Sequence, residues 1–295
     1  MIAAPGMAAV PKVDCHCHVI DPARFPFQPD TGYRPSGQEI APVDQLIRMM
    51  DLHGVRHALV VGTNSGYGED STPVLDAIAR GEGRFKGIAV VANDVAWAEL
   101  VRLRAGGMVG VAFNAPFNGT ARYAGTGELL RMLVDLDMVL QIQAKGDQLL
   151  DFMPLIEGST VRLLIDHCGR PVPGAGVGQA GFQALLALGR AGRATVKLSG
   201  LSQFSAERYP YADTRPFVDA LLDAFTPAGC VWGSDWPFLR AAERIDYGPL
   251  VHLAEAFMVD DRAREAVFWN TPRRLFWDLP GMAGDAGGQD IVSTI

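Results

Sequence analysis

Lys12-Val13-Asp14-Cys15-His16-Cys17-His18 lies in a short apolar run over 12–20, near the N-terminus. Read as a β-strand, it sends alternate side chains to opposite faces. Asp14, His16 and His18 then share one face, and Cys15 and Cys17 the other, as small buried hydrophobes. Two imidazoles side by side on a rigid strand can hold a metal or polarise a carbonyl. The bland alternative is a pair of core histidines, which is costly to bury without partners.

Seven further β-rich runs follow, at 57–63, 86–92, 109–114, 139–145, 161–167, 194–200 and 229–235. Between them lie stretches of helical period, among them Val43 to Met50, Gly127 to Leu136 and Phe217 to Phe225. Eight strands alternating with helices, in one composition regime, predict an α/β fold, a single (β/α)8 TIM barrel. The doubly wound alternative lacks a Gly-rich turn after the first strand. The barrel is assigned to 10–280, with a flexible N-terminus over 1–9 and a flexible tail over 281–295. Thr271 and Pro272 read as the cap and first turn of a helix from Arg273 to Asp278. The Pro- and aromatic-rich stretch 21–40 is the longest irregular one. Following the first strand, it overhangs the C-terminal mouth, where barrel active sites lie.

Of the 295 residues, 48% are hydrophobic, enough for a large core, and no apolar stretch approaches a membrane span. The opening residues lack the basic segment of a signal peptide. A net charge of −7 with no dense Lys/Arg run argues against nucleic acid or an anionic membrane as partner. Four cysteines are too few for a disulfide scaffold, so a cytoplasmic location is expected. The expected partner is a small molecule, with a homodimer as a fair guess for such a barrel.

Three strand ends converge on the mouth: His16 and His18 on the first, His167 on the sixth, Asp235 on the eighth. Together they can bind one divalent metal and activate water. Without metal, Asp235 can deprotonate water while the histidines polarise a carbonyl and stabilise its oxyanion.

The HxH of the first strand, with "IDHCGRP" (165–171), "VKLSG" (196–200) and "WGSDWP" (232–237), resembles the amidohydrolase superfamily. More narrowly, it is similar to the branch of 2-pyrone-4,6-dicarboxylate lactonase, sulfomuconolactone hydrolase and sugar-lactone enzymes. The resemblance implies a (β/α)8 barrel that hydrolyses a lactone or similar ester. His16, His18, His167 and Asp235 are then catalytic, and Arg170 holds a substrate carboxylate or hydroxyl.

Two departures qualify it. Gln143 stands where metal-binding members carry a strand-five histidine, and an amide is a poor zinc ligand. No metal is therefore expected to be required, as in the pyrone-dicarboxylate branch. The alternative is one zinc or manganese ion on His16, His18, His167 and Asp235. Ala112 and Gln203 stand where the dicarboxylate lactonase has arginines, which reduces the anion clamp to Arg170, aided by Arg34 or Arg122. A monocarboxylate or a neutral sugar lactone fits better than a pyrone dicarboxylate.

Further candidate substrate contacts are Asn64, Ser65, Asn114, Gln143, Gln203 and Tyr33, the last either capping the pocket or packing as an aromatic. Lys145 either contacts substrate or lies on the surface. Lys197 reads as a structural partner for a carboxylate, and His53, His57 and His252 as structural. Rival readings are a metal-dependent decarboxylase or lactone isomerase of the same superfamily, and a non-catalytic binding protein.

Overall fold

The computed structural model describes residues 10–258 and 260–278; the ends assigned as flexible, 1–9 and 281–295, lie outside the described residues. Eight strands run in parallel in sequential order: β1 Lys12–Cys17, β2 Val55–Val61, β3 Phe85–Ala89, β4 Met108–Asn114, β5 Val139–Gln143, β6 Arg162–Ile165, β7 Ala194–Leu198 and β8 Cys230–Trp232. Asp235 N donates to His16 O (2.7 Å) and His18 N to Trp236 O (2.8 Å), which brings the last strand back to the first. The fold is a (β/α)8 barrel.

Helices between the strands form the outer layer because each has an apolar stripe at helical spacing. Val43–Leu52 buries Val43, Leu46 and Met50; Gly127–Asp135 buries Leu129, Leu130 and Leu133. The strands, buried on both faces, read as nearly continuous apolar runs. Val13, Cys15, Leu59, Val61, Ile88, Val109, Val139, Leu164 and Val231 fill the barrel interior, where Phe276 and Trp277 join them. Trp277 Nε1 donates to Gly83 O, just ahead of β3, so the C-terminal helix plugs the N-terminal end. That leaves the C-terminal mouth for chemistry.

Three expectations are corrected. Strict alternation fails in β1, whose pairing register with β2 is irregular between Asp14 and Cys17. His16 and His18 reach the mouth, but Cys15 packs inside the barrel and Cys17 in the helix-facing core. Asp14 turns to the β1/β8 seam and accepts from Ser234 N (2.9 Å), Ser234 Oγ (2.6 Å) and Tyr247 OH (2.9 Å). Burial raises the Asp14 pKa, and these donors oppose the rise. Secondly, Thr271 is not a cap: the helix Thr271–Phe276 continues a π-helical turn, Ala266–Asn270, and Thr271 Oγ1 donates to Pro227 O at 3.3 Å. Thirdly, stretch 21–40 is not irregular throughout. Ile20 and Ala41 pair backbone to backbone at its base, and Gly37–Glu39 forms a 3-10 turn.

The seam depends on Gly233. A Cβ there would lie 2.7 Å from His16 Cβ and 2.8 Å from His16 N, and backbone has no room to yield. Gly233→Ala is expected to destabilise the fold by about 1–3 kcal/mol, the usual cost of overpacking. The protein should melt several degrees lower, and an unchanged melting temperature would show that the seam is loose.

Candidate active site

Asp235 Oδ1 stands at the centre of the mouth, 3.7 Å from His16 Nε2, 3.8 Å from His167 Nε2 and 3.9 Å from His18 Nε2. Two turns aim these groups. His167 opens a tight turn at the end of β6 with φ of 51°, and Asp235 follows β8 with φ of 65°. Both angles lie in the left-handed region that non-glycine residues rarely adopt. The His167 ring lies 4.4 Å from that of His16, and its Nδ1 contacts Ser199 Oγ at 3.0 Å. The turn fits because Gly200 lacks a Cβ, which would come within 2.5 Å of that Nδ1.

Burial dominates the electrostatics. It lowers the pKa of His16, His18 and His167, so all three are neutral at pH 7. It raises that of Asp235 to about 7, against the opposing hydrogen bond from Gln203 Nε2 to Oδ2. A carboxylate titrating near neutrality is suited to general base catalysis.

Beneath the histidines lies a buried polar layer. Lys197, fully buried on β7, contacts Gln141 Oε1 at 2.7 Å, Asp166 Oδ1 at 3.1 Å and His16 Nδ1 at 3.1 Å. Gln141 Nε2 donates to Asp166 Oδ2 at 2.7 Å. Lys197 therefore does pair with a carboxylate, and it also reaches the site. Gln141 and Asp166 were not singled out from the sequence. The available signals were alternation on β5, which puts Gln141 on the face of Gln143, and a lysine inside the apolar run Ala194–Leu198.

His16, His167 and Asp235 each offer a donor atom, and these lie within 4.8 Å of one another. Tetrahedral zinc bonds of 2.0–2.1 Å place donors about 3.3 Å apart, so the cluster is compact enough for a divalent ion. The wiring of the rings is mixed. His18 Nδ1 meets Val61 O at 2.8 Å, which leaves Nε2 as a lone pair, the usual arrangement of a metal ligand. His16 Nδ1 instead faces the ammonium of Lys197, which can only donate. The spacing suits a metal; the donor chemistry of His16 does not.

The mouth opens into a cavity of about 860 Å³. His16, His18, His167, Asp235 and Arg170 line it, as do Asn64, Ser65, Asn114, Gln143, Gln203 and Lys145. Asn114 Nδ2 donates to Asn64 Oδ1 (3.1 Å), fixing both amides. Arg170 is largely buried beside the histidine–Asp235 cluster, and its Nε has no hydrogen-bond partner among the described residues. Tyr33 is not among the lining residues. Its hydroxyl binds Glu39 (2.6 Å) and its ring lies under Arg240 at 4.5 Å, so it supports a rim residue instead. Nor do Arg34 and Arg122 line the cavity: Arg34 donates to Pro29 O (3.1 Å) and Arg122 pairs with Glu69 (3.4 Å). Arg208 and Arg240 lie at the rim with Glu207 and Glu243, and Arg208 pairs with Glu243 at 2.9 Å.

The barrel carries a carboxylate among imidazoles at its C-terminal mouth, the end at which enzymes of this fold hold their active sites. A protein-family model described as amidohydrolase matches residues 13–277, and the chain belongs to that family. The 4-sulfomuconolactone hydrolase of Rhizobium radiobacter is 32% identical over 285 residues, 92% of this chain and 93% of that protein. The 2-pyrone-4,6-dicarboxylate hydrolase of Comamonas testosteroni is 26% identical, over 90% of each chain. Among solved structures, a probable 2-pyrone-4,6-dicarboxylic acid hydrolase from Acinetobacter baumannii with citric acid bound superposes with a TM-score of 0.79. It is 26% identical and covers 90% of this chain and 98% of its own. Among the described residues no helix is long and apolar enough to cross a membrane.

Proposed function

We propose that the protein hydrolyses a lactone that carries an anionic group. The observation that carries this reading is the geometry at Asp235: one carboxylate, held among three imidazole Nε2 atoms at 3.7–3.9 Å, in a cavity that also contains Arg170. The similarity to hydrolases named for muconolactone and pyrone substrates supports the same reading.

Asp235 takes a proton from water, and the resulting hydroxide attacks the lactone carbonyl carbon. An imidazole N–H at the mouth stabilises the oxyanion of the tetrahedral intermediate. Collapse breaks the ring C–O bond, and the departing alkoxide takes the proton back from Asp235. The product is a hydroxy acid, and its new carboxyl group releases a proton to solvent. Arg170 holds the anionic group through charge-assisted hydrogen bonds, while Asn64, Ser65, Asn114, Gln143 and Gln203 present neutral polar groups to the remaining oxygens. In this mechanism no metal is required.

The test is proton release from carboxylated and sulfonated muconolactones, pyrone carboxylates and sugar lactones, with and without chelator. Acid release that survives chelator is expected with at least one anionic lactone. Loss of carbon dioxide would point to a decarboxylase, and a product of unchanged mass to an isomerase. Silence with every lactone would remove hydrolysis.

A further inference from the structure

The polar layer under the mouth contains more than the hydrolysis mechanism uses. Lys197 is fully buried and joins β5, β6 and β1 through Gln141, Asp166 and His16. An ammonium has three hydrogens and no lone pair. Gln141 is oriented unambiguously: its Nε2 donates to Asp166 Oδ2, so its Oε1 faces Lys197 and must accept. Asp166 Oδ1, 3.1 Å away on another side, forms an ion pair with the same ammonium. Were the hydrogen of His16 on Nδ1, Lys197 would have to be a neutral amine. A neutral amine could still donate to both oxygens, but it would leave the buried Asp166 carboxylate without the positive charge that faces it at 3.1 Å.

We infer that Lys197 is a positioning residue that fixes His16 as the Nε2–H tautomer, and so both aims an N–H donor into the mouth and denies a divalent metal its ligand. A ring nitrogen that carries hydrogen cannot coordinate, and moving that hydrogen to Nδ1 would set two donors against each other across 3.1 Å. The neighbouring ring shows the opposite wiring, with His18 Nδ1 on the Val61 carbonyl. One ring of the HxH pair is thus set as a donor and the other as an acceptor.

The same layer holds a latent metal site. Asp166 Oδ1 lies 3.4 Å from His16 Nδ1, and the ammonium of Lys197 is close to both. Without the ammonium, Asp166 becomes the natural acceptor for an Nδ1–H. That produces the carboxylate–histidine pair that orients imidazoles toward metals and strengthens their binding. His16 Nε2 would then join His167 and Asp235, whose donor atoms already lie within 4.8 Å of it.

The donor role of His16 rests on the hydrolysis reading; the tautomer and the exclusion of metal do not, and neither measurement below uses a lactone. The first is zinc binding, by titration calorimetry and metal analysis after dialysis, on the full chain, Lys197→Met and Lys197→Met/Asp166→Asn. Lys197→Met is expected to bind about one zinc at least tenfold to a hundredfold tighter than the parent, and the double variant to lose most of that gain. A parent chain that binds one zinc as tightly as Lys197→Met would overturn the proposal. The second needs no folded variant: long-range 1H–15N spectra of histidine-labelled parent protein, which has only six histidines. The signal of His16 is identified by its loss in His16→Asn. An Nε2–H pattern supports the assignment, and an Nδ1–H pattern overturns it even if Lys197→Met fails to fold.

Discussion

Asp235→Asn should lower kcat for the lactone by about a thousandfold, within the range assigned to a general base, while KM changes little. The amide is nearly isosteric and can keep its place beside Gln203, but it cannot take a proton from water. The same carboxylate sets the pH dependence. Its pKa of about 7 predicts a rate that falls about tenfold per unit of pH below that value, as Asp235 is protonated and lost as a base. A rate flat from pH 5 to 8 would assign the base to another group.

The stability consequence has the opposite sign. Burial raises the pKa from 3.8 to about 7, so between these values the folded protein binds more protons than the unfolded chain. Stability therefore falls as pH rises through that window. Above pH 7 the buried charge costs on the order of 4 kcal/mol, an upper limit. Asp235→Asn should thus melt several degrees higher than the parent at pH 8 and change little at pH 4. This is the trade expected where a site holds a destabilising group for its chemistry. Equal shifts at both pH values would show that the carboxylate is not under strain from burial.

The barrel was readable because every strand is an apolar run bounded by polar or glycine residues, and each helix has its own stripe. The converging histidines and Asp235 were readable for the same reason: they follow such runs directly. What could not be read locally depends on closure. The β1 pattern misplaces Asp14 and Cys15 because the close approach of Gly233 to His16, and of Ser234 to Asp14 220 residues away in sequence, belongs to the β1/β8 seam. Tyr33 looks like a pocket aromatic until Glu39 and Arg240 are seen to hold it behind the rim. The Lys197–Asp166–Gln141 layer draws on three strands and has no signature in any one of them. Arg34 and Arg122 fail as anion contacts because nearer partners, Pro29 O and Glu69, already hold them.

Arg170 is the residue whose loss should discriminate between substrates. It follows the His167 turn with φ of 44°, which brings its guanidinium beside the carboxylates of Asp166 and Asp235. Burial lowers its pKa, those two carboxylates oppose the fall, and its Nε is left without a partner among the described residues. An unpaired buried donor is costly in the empty site and is satisfied when an anion arrives. A hydrogen bond to a charged partner contributes about 1.5–3 kcal/mol, so Arg170→Gln should lower kcat/KM for an anionic lactone by about a hundredfold. A neutral lactone of the same ring should lose far less. Lysine should restore only part of the loss, because a point charge cannot reproduce the planar fork. The pH profile supplies a second readout: Arg170 helps to lower the Asp235 pKa, so its removal should move the acid limb of the rate to higher pH. Equal losses on anionic and neutral lactones, with the acid limb unmoved, would place Arg170 in the scaffold of the turn and leave the anion to Lys145 or the rim arginines.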